Sequence, residues 1–554
     1  MSNPTPALVT QRGARRLPRL ALLILCAAYV LPGTLDRDPW RNADIVAFGQ
    51  MVAMAEGRTS WLAPALGGVA GDAALLPHWL GAVFITLLSP ALDSAVAARL
   101  PFALLLALSL ALVWYTTFHL ARTEAAQPVP FAFGGEAEPV DYARAIADAA
   151  VLALIATLGL LQLGHETTPE LVQLFGVSLF LYALASAPFR DLQPRLALVA
   201  ALVVLAGSGA PSMALAMGLG GSIVCARSGY DRVRVFARWV LAATLVALLL
   251  ASWLGAWRWR AEALDGADLL SIARQWLWFM WPAWPLALWT LWRWRQHLMH
   301  RHLAVPLVAV GVALVSNVVM GGSDRALLLG LPGMAVLAAF GLPTLRRSTT
   351  AAIDWFSMFF FSLCAVAVWV IYVAVLTGVP AKPAANVAKL APGFDASFSV
   401  VELALAAAAT LAWLWLLRWR TGRHREAVWK SMVLPAGGVA LCWLLLMTLW
   451  LPLLDYARSP RPWVALLATR VPPASCLAAP GLAPPLTAAL EHFGRYRVDA
   501  RPQALDSGAC ELWLQVQRTR ATPQAPVGWE LVGSFQRPTD RDEVTAVFRR
   551  TPAP

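Results

Sequence analysis

Residues 17–35 read LPRLALLILCAAYVLPGTL, and residues 36–44 read DRDPWRNAD. The first stretch is an apolar run of the length that crosses a bilayer as a helix, about 20 residues. The second packs three aspartates and two arginines into nine residues. No small-residue cleavage signal closes the apolar run, so it reads as a retained helix and not a leader. Such a junction sets ionisable groups at a membrane edge, where each is costly and therefore informative.

The rest of the chain repeats the apolar theme. Of its 554 residues, 59% are hydrophobic and only 14% charged, against roughly 25% charged in an ordinary soluble protein. A water-soluble globule of this size has no means of hiding so much apolar surface. A soluble enzyme and a disordered chain are both excluded, which leaves a polytopic membrane protein. Many of the 26 tryptophans stand at the ends of apolar runs, as expected of side chains that settle at the headgroup level. The net charge of +12 raises nucleic acid as a partner. The arginines, however, sit in short groups between apolar runs, a topology signal and not a basic binding face, so no nucleic acid is expected. Lys382, Lys389 and Lys430 are the only lysines. Cys26, Cys225, Cys364 and Cys442 fall in apolar runs as small hydrophobes. Cys476 and Cys510 fall in the one long hydrophilic stretch, where a disulfide between them would indicate an oxidising compartment.

Candidate crossings lie near 17–35, 100–120, 148–164, 171–188, 195–208, 211–226, 238–256, 276–293, 303–320, 326–345, 354–378, 398–418 and 432–454, with a weaker run at 73–92. Arg12, Arg15, Arg16 and Arg19 set the N-terminus in the cytoplasm. Arg190 and Arg195, the group from Arg227 to Arg238, Arg293 to Arg301, Arg346 and Arg347, and Arg418 to Arg425 mark further inside loops. An inside start and an outside C-terminal tail require an odd number of crossings. The 73–92 run, which holds Pro77, His78 and Pro90, is therefore demoted to an interfacial or re-entrant helix. The expected architecture is a polytopic all-α membrane domain of about 13 helices over 1–455. It has a long first periplasmic loop, 36–98, and a cytoplasmic insert, 121–147. A small α/β periplasmic domain follows over 456–554, with a helix at Pro484–Phe493 and strands at Glu511–Arg518, Trp529–Phe535 and Val544–Arg549.

Acidic residues on the expected outer side are few: Asp38, Asp72, Glu166, Glu170, Asp265, Asp268 and Asp324. Asp38 and Glu170 both stand at outer helix ends. Two carboxylates converging there would supply a general base and a metal- or phosphate-positioning group. Plainer roles stand beside these. Asp38 is also placed to cap a helix that begins with Pro39, and Glu170, after Pro169, to be a first-turn acid favoured by the helix dipole. Asp44 and Glu56 read as the solvated face of an amphipathic helix around 41–56. His78 and His165 form no zinc-ligand pattern. Asp324-Arg325 reads as a polar turn, and Arg99 as a side chain that binds a lipid phosphate or snorkels to the interface.

Asp38-Pro39-Trp40-Arg41-Asn42-Ala43-Asp44-Ile45 resembles the D-E-x-R-Y-x-E-I stretch that follows the first helix of GT-C glycosyltransferases. The relatives in question are the lipid A aminoarabinose transferases and the protein O-mannosyltransferases. Further stretches fit the family's order: Trp61-Leu62-Ala63-Pro64, His78-Trp79-Leu80, Ala98-Arg99-Leu100-Pro101, Thr168-Pro169-Glu170-Leu171 with Glu for Asp, Trp281-Pro282-Ala283-Trp284-Pro285, and Ser323-Asp324-Arg325 before Leu331-Pro332. The resemblance implies a GT-C fold and an enzyme of the bacterial inner membrane that takes a sugar from a polyprenyl-phosphate (undecaprenyl-phosphate) donor. The acceptor would be periplasmic, such as lipid A, a glycan or a protein, and membrane lipids would be further partners. It implies Asp38 and Glu170 as catalytic carboxylates and as the pair that would hold a divalent metal ion, the one cofactor expected. Arg41, His78, Arg99, His165, Glu166, Arg258 and Arg325 are the implied substrate-binding set.

The departures are specific. The family's second acid is Pro39 here, its K-P-P-L motif falls on Ala73-Ala74-Leu75-Leu76, and its K-G pair falls on Ser208-Gly209. Two phosphate-side lysines are thus missing, and any substitute cation is an arginine. Two rival roles follow: a catalytically degenerate relative acting as a non-enzymatic membrane subunit, and a lipid or sugar transporter. A transporter would show internal repeats and broken helices near the midplane.

Overall fold

The computed structural model describes residues 5–40, 42–71, 74–257, 266–421, 427–506, 508–517, 524–540 and 542–551. The chain is mostly helical and forms two compact units, each drawn from three separate stretches. The first comprises Met1–Pro32, Phe102–Val366 and Ala404–Leu445; the second comprises Gly33–Pro101, Ala367–Leu403 and Leu446–Pro554. Seven of the described helices are long and apolar enough to cross a membrane: Ser94–Ala121, Pro169–Ser186, Asp231–Trp253, Arg301–Val319, Arg347–Thr377, Val400–Arg420 and Val428–Leu446.

In the first unit, several apolar runs are not single helices. The 148–164 run is cut at Thr157 into Pro139–Ala156 and Leu158–Leu163. The 276–293 run is cut at Trp281-Pro282 into Gly266–Phe279 and Ala283–Arg293, because proline has no N–H to continue the ladder. The two breaks answer each other, since the Leu158 amide left open at one donates to the Trp281 carbonyl at the other (3.0 Å). The helix that opens the 17–35 run is fixed at its start by a buried acid. Asp148 accepts the Leu17 amide (2.8 Å), the Trp114 indole (2.7 Å) and the Arg19 guanidinium (3.1 Å). The N-terminal stretch also holds the 121–147 insert, through Gln11 on Asp141 and a bridge from Thr10 to Glu136.

In the second unit, helix Ala43–Ala55 carries Ile45, Phe48, Met51, Val52 and Met54 into a buried interface. The amphipathic reading of this helix fails at Asp44. It is 1% exposed, takes the Trp40 amide and faces Arg37, because apolar packing covers nearly all of the helix circumference. Glu56 is on the surface as expected. The demoted run forms helix Leu75–Leu88, 14 residues and too short to span.

The C-terminal segment folds as a five-stranded mixed sheet, in the order Arg497–Asp499, Cys476–Ala478, Leu512–Gln517, Val544–Arg550, Trp529–Gln536. The first three strands are parallel and the last three antiparallel. Helix Pro484–Phe493 begins and ends where the sequence put it, and with Trp463, Leu467, Leu477, Leu514 and Val547 it closes one core. The two three-residue strands escape a pattern search because they are too short to alternate. Cys476 and Cys510 are disulfide-bonded.

Helix Ala43–Ala55 packs directly on helix Pro484–Phe493. A Cβ added at Gly49 would lie 2.7 Å from that of Ala488, so only glycine permits the approach. Glu491 accepts the Gly67 amide (3.0 Å) and Arg58 (2.6 Å), and Phe48 meets the His492 ring edge-on at 4.7 Å.

The disulfide closes a separation of 34 residues, for which chain-entropy arguments give about 3–4 kcal/mol. Reduction or Cys476→Ser in the full-length protein is expected to lower the denaturant midpoint for proteolysis of the 456–554 segment. Unchanged protease resistance would show that the bond adds no stability there.

Candidate active site

Asp38 sits in a short segment bounded by two residues with left-handed backbone, Asp36 (φ 57°) and Asn42 (φ 71°). Asp and Asn are the side chains that tolerate this conformation best after glycine. The helix that follows starts at Ala43 with Asn42 as its N-cap, so Asp38 does not cap it.

Around Asp38, the second unit gathers a compact polar cluster. Both Asp38 carboxylate oxygens accept from Arg461, Oδ2 from Nε (2.8 Å) and Oδ1 from Nη2 (2.5 Å). The Asp38 amide donates to Asp455 Oδ2 (3.2 Å), and the Trp40 indole donates to Asp455 Oδ1 (2.7 Å). The Arg37 and Arg458 guanidiniums lie over the Trp40 ring at 4.8 and 4.9 Å. Arg37 pairs with buried Asp44 at 3.7 Å. Arg99, buried near the start of helix Ser94–Ala121, donates to the Arg37 carbonyl. Burial pushes the Asp455 carboxyl up to about 6; the bond from Trp40 opposes this and the neighbouring Asp38 charge adds to it. His492, also in this unit, is driven down to about 4, chiefly by burial.

The first unit holds a second cluster. Glu170 is the first-turn acid of helix Pro169–Ser186. Arg325 donates to Glu170 Oε2 (3.2 Å) and Glu166 Oε2 (2.7 Å), and Gln162 donates to Glu166 Oε1 (3.0 Å). Burial disfavours the Arg325 charge, but Glu170 and Glu166 outweigh it and hold the guanidinium above its ordinary range. Buried Asn317 positions the loop that delivers Arg325. It accepts from the Trp276 indole (2.7 Å) and donates to the Ser323 carbonyl (2.7 Å) and Gln275 (3.2 Å). His165 brings both ring nitrogens to backbone carbonyls, Leu161 at 2.7 Å and Tyr29 at 2.8 Å, with its ring between Tyr29 and Trp443.

Of the remaining expected residues, His78 is buried in helix Leu75–Leu88. Arg41 and Arg258 lie outside the described residues, as do Asp72, Ala73, Arg260 and Asp265. Among the described residues, no three His, Cys, Asp or Glu side chains gather as metal ligands. Each carboxylate expected to hold a divalent ion instead faces a guanidinium, Arg461 on Asp38 and Arg325 on Glu170. That donor set does not fit a resident ion, and no step below runs through one.

Sequence reasoning missed Asp455, Arg458 and Arg461. The signal for Asp455 was present: it is an acid immediately after the last apolar run, the criterion that singled out Asp38 after the first. The two arginines carried no motif and read as the entry to the C-terminal domain.

No family model matches the chain, and no curated protein matches it. Among solved structures, it is similar to the crystal structure of ArnT from Cupriavidus metallidurans bound to undecaprenyl phosphate. The TM-score is 0.61 at 13% identity, covering 96% of this chain and 97% of that one. The apo state of the same protein gives a TM-score of 0.62 over the same coverage. The chain therefore has the fold of ArnT. The neighbour that displays it, ArnT, is of the aminoarabinose transferase type that the sequence motifs resemble.

Asp455 yields a pH signature. Its folded-state value is raised, so the folded protein keeps a proton that the unfolded chain sheds as pH climbs from about 4 to 6. Wild-type stability is expected to fall across that window by no more than about 3 kcal/mol. In Asp455→Asn this component is absent. Thermal unfolding of both proteins in detergent between pH 4 and 7 checks it, and parallel curves would contradict the burial argument.

Proposed function

We propose that the chain is an inner-membrane glycosyltransferase that moves a sugar from a polyprenyl-phosphate donor to a periplasmic-side acceptor. The observation that carries this is the fold, shared over 96% of the chain with a protein crystallised with undecaprenyl phosphate. The motif order and the ionisable cluster around Asp38 support it.

In the proposed step, an acceptor hydroxyl or amine attacks the anomeric carbon of the donor sugar. The new bond forms as the carbon–oxygen bond to the phosphate breaks, with inversion, and the polyprenyl phosphate leaves with the bonding electron pair. The acceptor's proton passes to Asp38, which acts as base and as the group that orients the nucleophile. The leaving phosphate needs positive charge in a water-poor site, which makes electrostatic stabilisation the larger contribution. Arg99 is a buried cation in the same cluster as Asp38. Glu170 and Arg325, each singled out separately by the sequence, hold each other in the first unit. Glu170→Gln tests separately whether they serve the transfer.

Asp38→Asn is expected to reduce transfer of a radiolabelled sugar from its polyprenyl phosphate by at least about 10²-fold, with expression and thermal stability kept. Wild-type turnover in that variant would remove Asp38 from the mechanism. The missing lysines favour one second role, a non-catalytic membrane subunit. Wild-type protein that binds the lipid phosphate yet transfers no sugar from any donor tried would select it.

A further inference from the structure

A carboxylate whose two oxygens both accept from one guanidinium has two of its about four lone-pair sites occupied. Parting the Asp38–Arg461 pair opens those sites to an acceptor, provided some other anion receives Arg461. The pair is lopsided in a way that suits this. The Arg461 side chain is 61% exposed, whereas that of Asp38 is 14% exposed. With its guanidinium mostly in water, Arg461 can change partners without unpacking buried surface. The guanidinium fork fits phosphate oxygens as well as it fits a carboxylate.

The frame around Arg461 is firm although its tip is not. Helix Leu451–Arg458 ends and helix Arg461–Ala468 begins across a turn at Ser459-Pro460. Ser459 is fully buried, accepts the Arg461 amide on its hydroxyl (3.0 Å), and takes Arg537 on its carbonyl. The Arg461 guanidinium lies over the Phe493 ring at 4.6 Å, and Arg458, one turn away, lies over Trp40. Arg99, which interacts with the Asp38 and Asp455 charges, has a buried Nε that finds no acceptor. Two cations held by one buried turn, with unused donor capacity nearby, are what a phosphate oxyanion requires. They also stand in a chain that lacks both family lysines.

We propose that Arg461 is the phosphate ligand of the Asp38 site, with Arg458 beside it, and that an arriving lipid-borne phosphate takes the guanidinium from Asp38 and so opens that carboxylate to the acceptor. This rests on the transferase role proposed above. Arg461 would thus couple donor binding to exposure of the base, and the acceptor's proton would find Asp38 free only when a leaving group is in place.

The test measures binding of undecaprenyl phosphate to the purified full-length protein in detergent, for wild type, Arg461→Gln, Arg461→Lys, Asp38→Asn and the Asp38→Asn/Arg461→Gln double variant. Arg461→Gln is expected to weaken binding about 10-fold or more, and Arg461→Lys to restore part of it. Asp38→Asn is expected to tighten binding, since it removes the competitor for the guanidinium, and the double variant to lose that gain. A purely structural ion pair predicts the opposite for Asp38→Asn, weakening like that of Arg461→Gln, and that result overturns the proposal. So does unchanged binding in Arg461→Gln. Competition by inorganic phosphate that depends on Arg461 assigns the site to phosphate at large, and its absence assigns it to the lipid-borne group; Arg461 remains the ligand in both. Sugar transfer by wild type separates the two levels. Turnover with Arg461-independent binding sinks this inference alone, whereas wild type that neither binds nor turns over any polyprenyl phosphate sinks both.

Discussion

A hydrogen bond from the Trp40 indole to Asp455, 415 residues further on, is the contact on which the second unit turns. A carboxylate removed from water is expensive, and Asp455 meets that cost with two N–H donors, the indole and the Asp38 amide. Each bond fixes a point in the segment after the first apolar run to the helix after the last. Closing so long a loop costs little more than closing a shorter one, about 0.6 kcal/mol per doubling of length. Once Asp455 is seated, Arg458 follows from helix geometry and Arg461 from the Ser459-Pro460 turn. The positions of Asp38, Trp40 and both arginines are therefore tied together at one half-buried carboxylate.

The sequence shows most clearly where a local rule acts alone. Helix Pro484–Phe493 has a proline start and a glycine stop, and its ends are where those signals place them. The three longer strands of the tail alternate and are found within a residue or two. The family resemblance also reached the right fold. Harder to read were features set by tertiary packing or by partners distant in the chain. Asp44 looks like a surface acid on helical spacing, yet Arg37 and the Trp40 amide bury it. The run at 276–293 looks continuous in hydropathy, yet Trp281-Pro282 breaks it, and the freed carbonyl is used by Leu158, more than a hundred residues earlier. Among the candidate residues, Asp38 and Arg99 belong to one ionic cluster in the second unit and Glu166, Glu170 and Arg325 to another in the first, but the sequence did not say which acid meets which base. Around Asp38 that depends on Asp455 and Arg461, whose significance lies in where the chain returns rather than in a motif.

The comparison with ArnT sharpens this. At 13% identity, nearly the whole architecture is retained, because packing constrains volume and polarity pattern more than identity. Charge is treated differently. The positions where the family carries lysines are apolar or small here, while arginines cluster beside Asp38 from a segment that no family motif covers. A point charge on a flexible stem and a planar fork are not equivalent ligands, and exchanging one for the other changes the geometry of the anion they hold.

Gly49 and Ala488 bring two helices so close that neither tolerates a larger side chain without displacing the other. The tail of this protein is consequently not a portable module. A chimera that grafts the C-terminal segment of another protein of this fold onto the rest of this chain would need the matching first loop to travel with it. Natural shuffling of such tails among relatives should meet the same steric barrier, so the two segments are to be expected to change in step.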